Sequence, residues 1–587
     1  MKRVLTGVLI GAAMSIATTQ ANAATNAEKN FLNVSNEFLD NVYLRYFPSQ
    51  GTLAGYHQYD PYLEDYSQAT IEKQVELLKG FEQRISAIPD DSSSLSLTSR
   101  GDRAIVLGTI RSWLLNLETI RMWQKDPDSY SSTAATGVFT IIERNYAPAD
   151  QRLRAVIARE KQMPALFKEA RTNLKNPPHV YTEIAIEQLP GIINFFQKDV
   201  PGAFSEVKDP ELKEEFIQAN SAVIEELREY LAWLKTDLLP RANGDFRIGA
   251  DAFAKKLVYD EMVDTPLDRL LEIGRADLKK NQAQFNEIAK ELEPQKDSRE
   301  VLEELGSDHP APDQLLNSFR DTFASLQSFI RAHRIVTLPS DQQPILQETP
   351  PFMRATTFAA MDTPGPFETG AIDAYFDVTL PDKSMTPAQT ESYMHSFNVG
   401  TIISTSVHEA FPGHFVQFLW APRAPSRVRK LLSANTNVEG WAHYCEQMML
   451  DEGYGQPGTG ARNPREAKLL RLGQLQDALL RDARFIVGIE MHTGKMSIDQ
   501  AVAFFEKEGY QSHETALVET RRGTSDPTYL YYTLGKLEIM KLREDVKKKE
   551  GASFSLQRFH DDFLAQGAPP IKIVREAMLG NDTPALQ

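Results

Sequence analysis

Apolar residues recur at three- and four-residue spacing through most of the first 350 residues, as in AEKNFLNVSNEFLDNVYL, IEKQVELLKGFEQRISAI and DRLLEIGRADLKKNQAQFNEIAKELE. That period lines one helix face with apolar side chains, so these stretches predict amphipathic packing helices. FPSQGTLAGY, LPRANGDFRIG and SDHPAPDQ interrupt them and read as turns. Between Pro350 and Pro381 the period changes. In AIDAYFDVTLP, Ile372, Ala374, Phe376 and Val378 alternate with Asp373, Tyr375, Asp377 and Thr379, which is the two-residue period of a strand. Helical spacing returns with TPAQTESYMHSFNVGTIISTSVHEAF and continues to the C-terminus. The pattern predicts a mainly α, multi-helix chain with a small β-sheet. Its expected division is an N-terminal helical region over 24–350 and a second region, which carries the small sheet, over 351–587.

Composition narrows the class. Of 587 residues, 42% are apolar and 25% charged, the balance of a globular chain. The net charge of −16 argues against nucleic acid or an anionic membrane surface as the main partner, since both require clustered Lys and Arg. The first 23 residues, MKRVLTGVLIGAAMSIATTQANA, combine Lys2 and Arg3, a short apolar run and a small-x-small ending at Ala23. This is the pattern of a secretory signal peptide, so a periplasmic or extracellular protein without stable membrane insertion is expected. Cys445 is the single cysteine, which excludes an intrachain disulfide and a cysteine-based metal site, and leaves no attachment point for lipid after the cleavage site. Any metal must be held by His, Asp or Glu.

Six of the eleven histidines lie between 395 and 513: His395, His408, His414, His443, His492 and His513. Among them, VHEAFPGHFVQ starts like the H-E-x-x-H helix that chelates zinc with two imidazoles four residues apart and keeps a glutamate beside the reacting water. Here the fourth residue after His408 is Pro412, and the next histidine is His414. On an unbroken helix His414 would lie about 120° around and about 9 Å along the axis from His408, too far to share an ion. Pro412 and Gly413 permit a break that could return His414 to the metal side; without it the likeness is accidental. A third ligand is expected from another element, and VEGWAHYCEQMM offers Glu439, with His443 one turn on. His443 reads as a further ligand, as an outer partner that orients Glu439, or as a satisfied polar residue of a packed helix.

HEAFPGH followed by EGWAHYCE resembles the DUF885 family of bacterial, often exported, proteins, which is placed with the gluzincin-like metallopeptidases. FPSQGTLAGYHQYD, LPRANGDFRIGADAFAKKL and RDARFIVGIEMHTGKMSIDQAVAFF are similar to that family's opening, middle and late segments. DPTYLYYTLGKLEIMKLR is similar to its P-G-Q-x-x-x-Y-x-x-G stretch: Tyr532 and Gly535 match, while Asp526, Pro527 and Thr528 replace the Pro, Gly and Gln. The resemblance implies a zinc metallopeptidase with a zincin-like fold, with His408, His414 and Glu439 as ligands and Glu409 as general base to a zinc-activated water. Ligand chemistry agrees, because three protein ligands leave zinc an open position for water. For the developing oxyanion Tyr532 is the first candidate donor and His492 a competing one, against a purely packing role for the cluster of Tyr529, Tyr531 and Tyr532. Arg521 and Arg522 are candidates for a substrate carboxylate, against a solvated surface pair, and Tyr375 is a further substrate-binding candidate. The strand near 372–379 is expected as the cleft edge to which a peptide substrate adds. Two alternatives stay open: a metal-dependent hydrolase of another amide or ester, and a non-catalytic peptide-binding protein on the same fold.

Overall fold

Helices dominate, as the spacing predicts, and they bury their apolar faces in several adjoining cores. The structure is a computed structural model that describes residues 26–350, 353–354, 357–581 and 583–586; the expected signal peptide lies outside the described residues. The elements that position the site are, in chain order, α1 (Asp128–Ile142), α2 (Leu267–Leu292), α3 (Ser298–Ser307), α4 (Leu315–Ala332), strands β1 (Ile345–Glu348), β2 (Ala359–Asp362) and β3 (Tyr375–Val378), and then α5 (Pro387–Met394), α6 (Val399–Glu409), α7 (His414–Trp420), α8 (Asn435–Asp451), α9 (Pro464–His492), α10 (His513–Ser525) and α11 (Tyr531–Glu550).

Packing crosses residue 350. Leu271, Leu278 and Phe285 of α2 share a core with Leu472, Leu479 and Ile486 of α9 and with Leu530 and Leu534. Phe319 and Phe323 of α4 join Phe376 of β3, Val407 of α6, Trp441 of α8 and Ile539 of α11 in another. The Phe319 and Phe376 rings meet edge-on at 5.3 Å, and those of Phe323 and Phe376 stack at 6.1 Å. Each such buried ring contributes about 1.5–3 kcal/mol, so the sheet is fixed chiefly from its α4 side.

The small sheet runs in the order β1-β3-β2, with β1 parallel and β2 antiparallel to β3. β3 is therefore the central strand, and this corrects the expectation that residues 372–379 form the cleft edge. Phe376, Asp377 and Val378 are all buried because both faces and both edges of β3 are covered, whereas Ile372 precedes the strand and is 69% exposed. The edge strand nearest the site is β2.

Two glycine contacts bring the site helices together. A methyl group on Gly473 of α9 would stand 2.3 Å from the Gly400 carbonyl carbon of α6, and one on Gly535 of α11 would stand 1.9 Å from the Thr436 carbonyl oxygen of α8. Only residues without a Cβ allow these backbones to approach so closely. Helix α8 begins at Ala434, which has no capping side chain. The distant, buried Glu261 serves instead, accepting hydrogen bonds from the Asn435 and Thr436 amides at 3.2 and 2.9 Å and from the Thr436 hydroxyl at 2.6 Å. A carboxylate there meets the orphan N–H groups and the positive end of the helix dipole.

Candidate metal centre

Helix α6 starts at Asn398, whose side chain accepts from the Gly400 and Thr401 amides, and its last turn carries His408 and Glu409. The helix then stops. Phe411 N–H donates to the Ser406 carbonyl at 3.1 Å, Gly413 N–H donates to that of Val407 at 2.9 Å, and α7 begins at His414. Pro412 follows a cis peptide and offers no N–H. Gly413 is required by proximity: a Cβ there would lie 1.7 Å from the His408 carbonyl oxygen. This tight reversal returns His414 to His408, with ring centroids 4.8 Å apart and planes at 89°.

Helix α8 supplies Glu439, whose Oε2 lies 3.4 Å from His408 Nε2 and 3.3 Å from His414 Nε2. Two atoms bound at about 2.0–2.1 Å to one tetrahedral zinc stand about 3.3 Å apart, so both spacings suit a shared ion. The carboxylate oxygen is buried and makes no aligned hydrogen bond, although both imidazoles are at ion-pair distance. An ion between the three atoms accounts for that better than two misaligned N–H donors. Burial disfavours a charged His408, yet the carboxylates of Glu439, Glu446 and Glu409 outweigh it and push the imidazole up to about 10. For Glu439, burial is likewise outweighed by His414 and His408, which hold it well below the usual carboxylate range. The surroundings favour positive charge at this point. His408, His414 and Glu439 could thus hold a metal ion, and two imidazoles with one carboxylate are a donor set that suits zinc.

Beneath the trio lies Glu446, two turns after Glu439. His408 Nδ1 donates to its Oε1 at 2.6 Å, His443 Nδ1 to its Oε2 at 3.1 Å, and the Arg481 guanidinium lies 3.2 Å from Oε1. Glu446 therefore fixes the His408 tautomer and turns Nε2 towards Glu439. His443 is neither a member of the trio nor a partner of Glu439; it is fully buried beside Glu446, and burial together with the Lys536 charge pushes it down to about 3. Glu446 and Arg481 were not picked out by sequence reasoning. The seven-residue step from Glu439 to Glu446, which returns to the same helix face, was the available signal.

The trio opens into a cavity of about 1630 Å³ lined also by Glu409, Tyr532 and all four residues of β2. The chain belongs to the DUF885 family. The model of that family, described as "Bacterial protein of unknown function (DUF885)", matches residues 48–578. Two solved structures are similar along nearly their whole length. A Shewanella oneidensis protein described as "a putative lipoprotein of unknown function" is 27% identical, with a TM-score of 0.75, over 94% of this chain and 99% of its own. A Colwellia psychrerythraea protein described as a "putative lipoprotein" is 18% identical, with a TM-score of 0.71, over 96% of this chain and 99% of its own, and supports the fold alone. No curated protein matches the chain.

In this DUF885 chain the remaining candidates divide. Tyr532 stands 6.4 Å from His408 between ring centroids, and its phenolic oxygen accepts from Arg522 Nη2 at 3.1 Å. The guanidinium of Arg484 lies 4.9 Å from the Tyr532 ring centre, and those of Arg481 and Arg522 both lie at 5.8 Å. Arg521 lines the cavity and pairs with Glu187 at 2.9 Å. His492 does not reach the site: its Nε2 donates to the Gly523 carbonyl at 2.8 Å, its Nδ1 accepts from the Ile248 amide at 3.4 Å, and it packs against Phe246 and Phe253. Both ring nitrogens are thus engaged by backbone groups, which corrects the expectation of a catalytic role. Tyr375 also lies off the cavity wall, with the Arg144 guanidinium 5.6 Å from its ring centre. The wall near the sheet is acidic. Burial and the neighbouring Asp362 push Glu143 up to about 10, and burial with Asp362 raises Asp377 to about 6.

Proposed function

We propose that this chain is an exported zinc metallopeptidase, with His408, His414 and Glu439 as ligands, Glu409 as general base and Tyr532 as the donor to the developing oxyanion. The observation that carries the reading is the convergence of three ligand atoms, one of them a buried carboxylate oxygen without an aligned hydrogen bond, on the wall of a cavity that Glu409 also lines. When bound, zinc supplies a Lewis acid and an acidified water. Glu409, adjacent in sequence to a ligand, takes the proton of the attacking water and passes it to the leaving amine. Arg522 donates to the Tyr532 oxygen, which leaves the phenolic proton for the oxyanion. An extended substrate lies along β2, the edge strand lining the cavity, through main-chain hydrogen bonds. Arg521 and Arg522 line the cavity and suit a substrate that carries a free carboxylate, as a short peptide does. Export is supported by the signal-like first 23 residues and by the Shewanella oneidensis neighbour described as a putative lipoprotein. No described helix is long and apolar enough to cross a membrane.

The test is metal analysis of the purified protein followed by a fluorogenic peptide screen on three forms. Wild type should carry zinc and cleave peptides, Glu409→Gln should keep zinc while turnover falls by roughly 10²–10⁴, and His408→Ala should lose both. Near-normal hydrolysis by Glu409→Gln would remove Glu409 as the base. Zinc without hydrolysis of any peptide would leave a binding protein.

A further inference from the structure

We propose a second transition-metal site at the mouth of the cavity, formed by His309, Glu391 and His395. Helix α5 begins with Thr386 and Gln389 capping one another and presents Glu391 outward; His395 follows one turn later, just past its end. His309 comes from the loop after α3. One carboxylate oxygen, Glu391 Oε1, faces Nε2 of both rings, at 3.2 Å from His309 and 3.6 Å from His395. These spacings bracket the edge of about 3.3 Å expected between ligands of one zinc.

The hydrogen bonding of His309 strengthens the case. Its Nδ1 lies 2.9 Å from the Pro310 carbonyl oxygen, which can only accept, so Nδ1 carries a hydrogen. In a neutral imidazole this leaves a lone pair on Nε2, pointed at a carboxylate oxygen. Either a proton in this 3.2 Å contact or a metal ion can join the two atoms. A proton on His309 would serve that ring alone, whereas a metal ion also accounts for the second imidazole turned to the same oxygen. A carbonyl holding the far nitrogen is the usual outer partner of a metal-ligating histidine.

His309 is held in advance, while His395 is 39% exposed. The His309 side chain is only 10% exposed, and the His395 ring packs so closely on the end of α3 that a Cβ on Gly306 would meet it at 3.2 Å. Glu391 is 60% exposed, which leaves room for water to complete the coordination. Two imidazoles and one carboxylate select zinc, nickel or copper over magnesium and calcium. Gly306 and His395 line the large cavity, so an ion here would tie α3 to α5 at its rim.

Metal-free full-length protein titrated with Zn²⁺ alone, followed by calorimetry, tests this. Wild type should take up two equivalents, the more exposed site being the weaker. The His309→Ala/His395→Ala double variant and the size-preserving Glu391→Gln should each lose the weaker equivalent and retain the tighter. His408→Ala should do the reverse, so failure of the trio leaves this inference standing. A double variant that takes up as much Zn²⁺ as wild type, or displacement by equimolar Ca²⁺ of the ion lost in that variant, would overturn it.

Discussion

Replacing Glu446 with Gln separates the positioning of His408 from its ligation. The carboxylate is fully buried and receives His408 at 2.6 Å, His443 at 3.1 Å and Arg481 at 3.2 Å. Glutamine keeps the size but loses the charge, and its amide nitrogen brings donors to a place already filled with donors. A hydrogen bond to a charged group contributes about 1.5–3 kcal/mol. Outer partners of a ligating histidine are worth about 10–100-fold in metal affinity, or about 1.4–2.8 kcal/mol at 1.4 kcal/mol per tenfold, so the two scales agree. Arg481 retains Asp477 at 3.5 Å, so its charge is not abandoned and the fold should persist. Chelator competition should show zinc held about 10–100-fold more weakly by Glu446→Gln, with urea unfolding still cooperative. Glu446→Ala also removes the packing and every acceptor for His408, His443 and Arg481, and should cost about 1–3 kcal/mol more stability than Glu446→Gln. Zinc affinity within about threefold of wild type in a folded Glu446→Gln would refute the positioning role.

Tyr532→Phe should lower kcat by about 10²–10³ with zinc content unchanged, as loss of one oxyanion donor does; steady-state kinetics with an unaltered kcat would return Tyr532 to packing. Gly413→Ala places a methyl 1.7 Å from the His408 carbonyl and should cost about 1–3 kcal/mol and weaken zinc binding, measured by thermal unfolding and metal analysis. Burial lowers His492 to about 4 and His560 to about 3, and each ring already donates one hydrogen and accepts another: His492 with Gly523 and Ile248, His560 with Ile335 and Tyr444. The unfolded chain takes up protons below about pH 6.5 while these rings do not, so their contribution to stability is full above that pH and falls as pH drops towards 4; from pH 7.5 to 5.5 the two together should cost about 3 kcal/mol, read as the difference in urea unfolding between wild type and a His492→Gln/His560→Gln variant, and an equal pH dependence in both would contradict their neutral burial.

What was legible in the sequence was local. Helical spacing foretold the helices because amphipathic periodicity needs no knowledge of the partner, and the Pro412-Gly413 break foretold the meeting of His408 and His414 because it lies between them. Errors arose wherever a distant segment decides. β3 looked like an edge because its alternation of apolar and polar residues suggests one wet face, yet β1 from one side and β2 from the other enclose it, and Asp377 is buried with Gln347 donating to it at 2.9 Å. His492 looked catalytic by its place among other histidines, but Phe246, Ile248 and Phe253, far upstream, claim it for packing.

The same reasoning locates the least legible part of the site. Glu439 sits beside His408 and His414 because α8 is pressed against α11 at Gly535 and α6 against α9 at Gly473, and because Glu261 caps a helix start that has no side chain of its own for the purpose. None of these residues is a ligand, and none lies near His408 in sequence. Their effect is geometric: a Cβ at either crossing would force a pair of helices apart, and the trio tolerates little movement because ligand atoms about 3.3 Å apart must share one ion. A sequence can therefore name the ligands from their chemistry, while the precision that makes them a site is set by small residues whose role appears only when the helices cross.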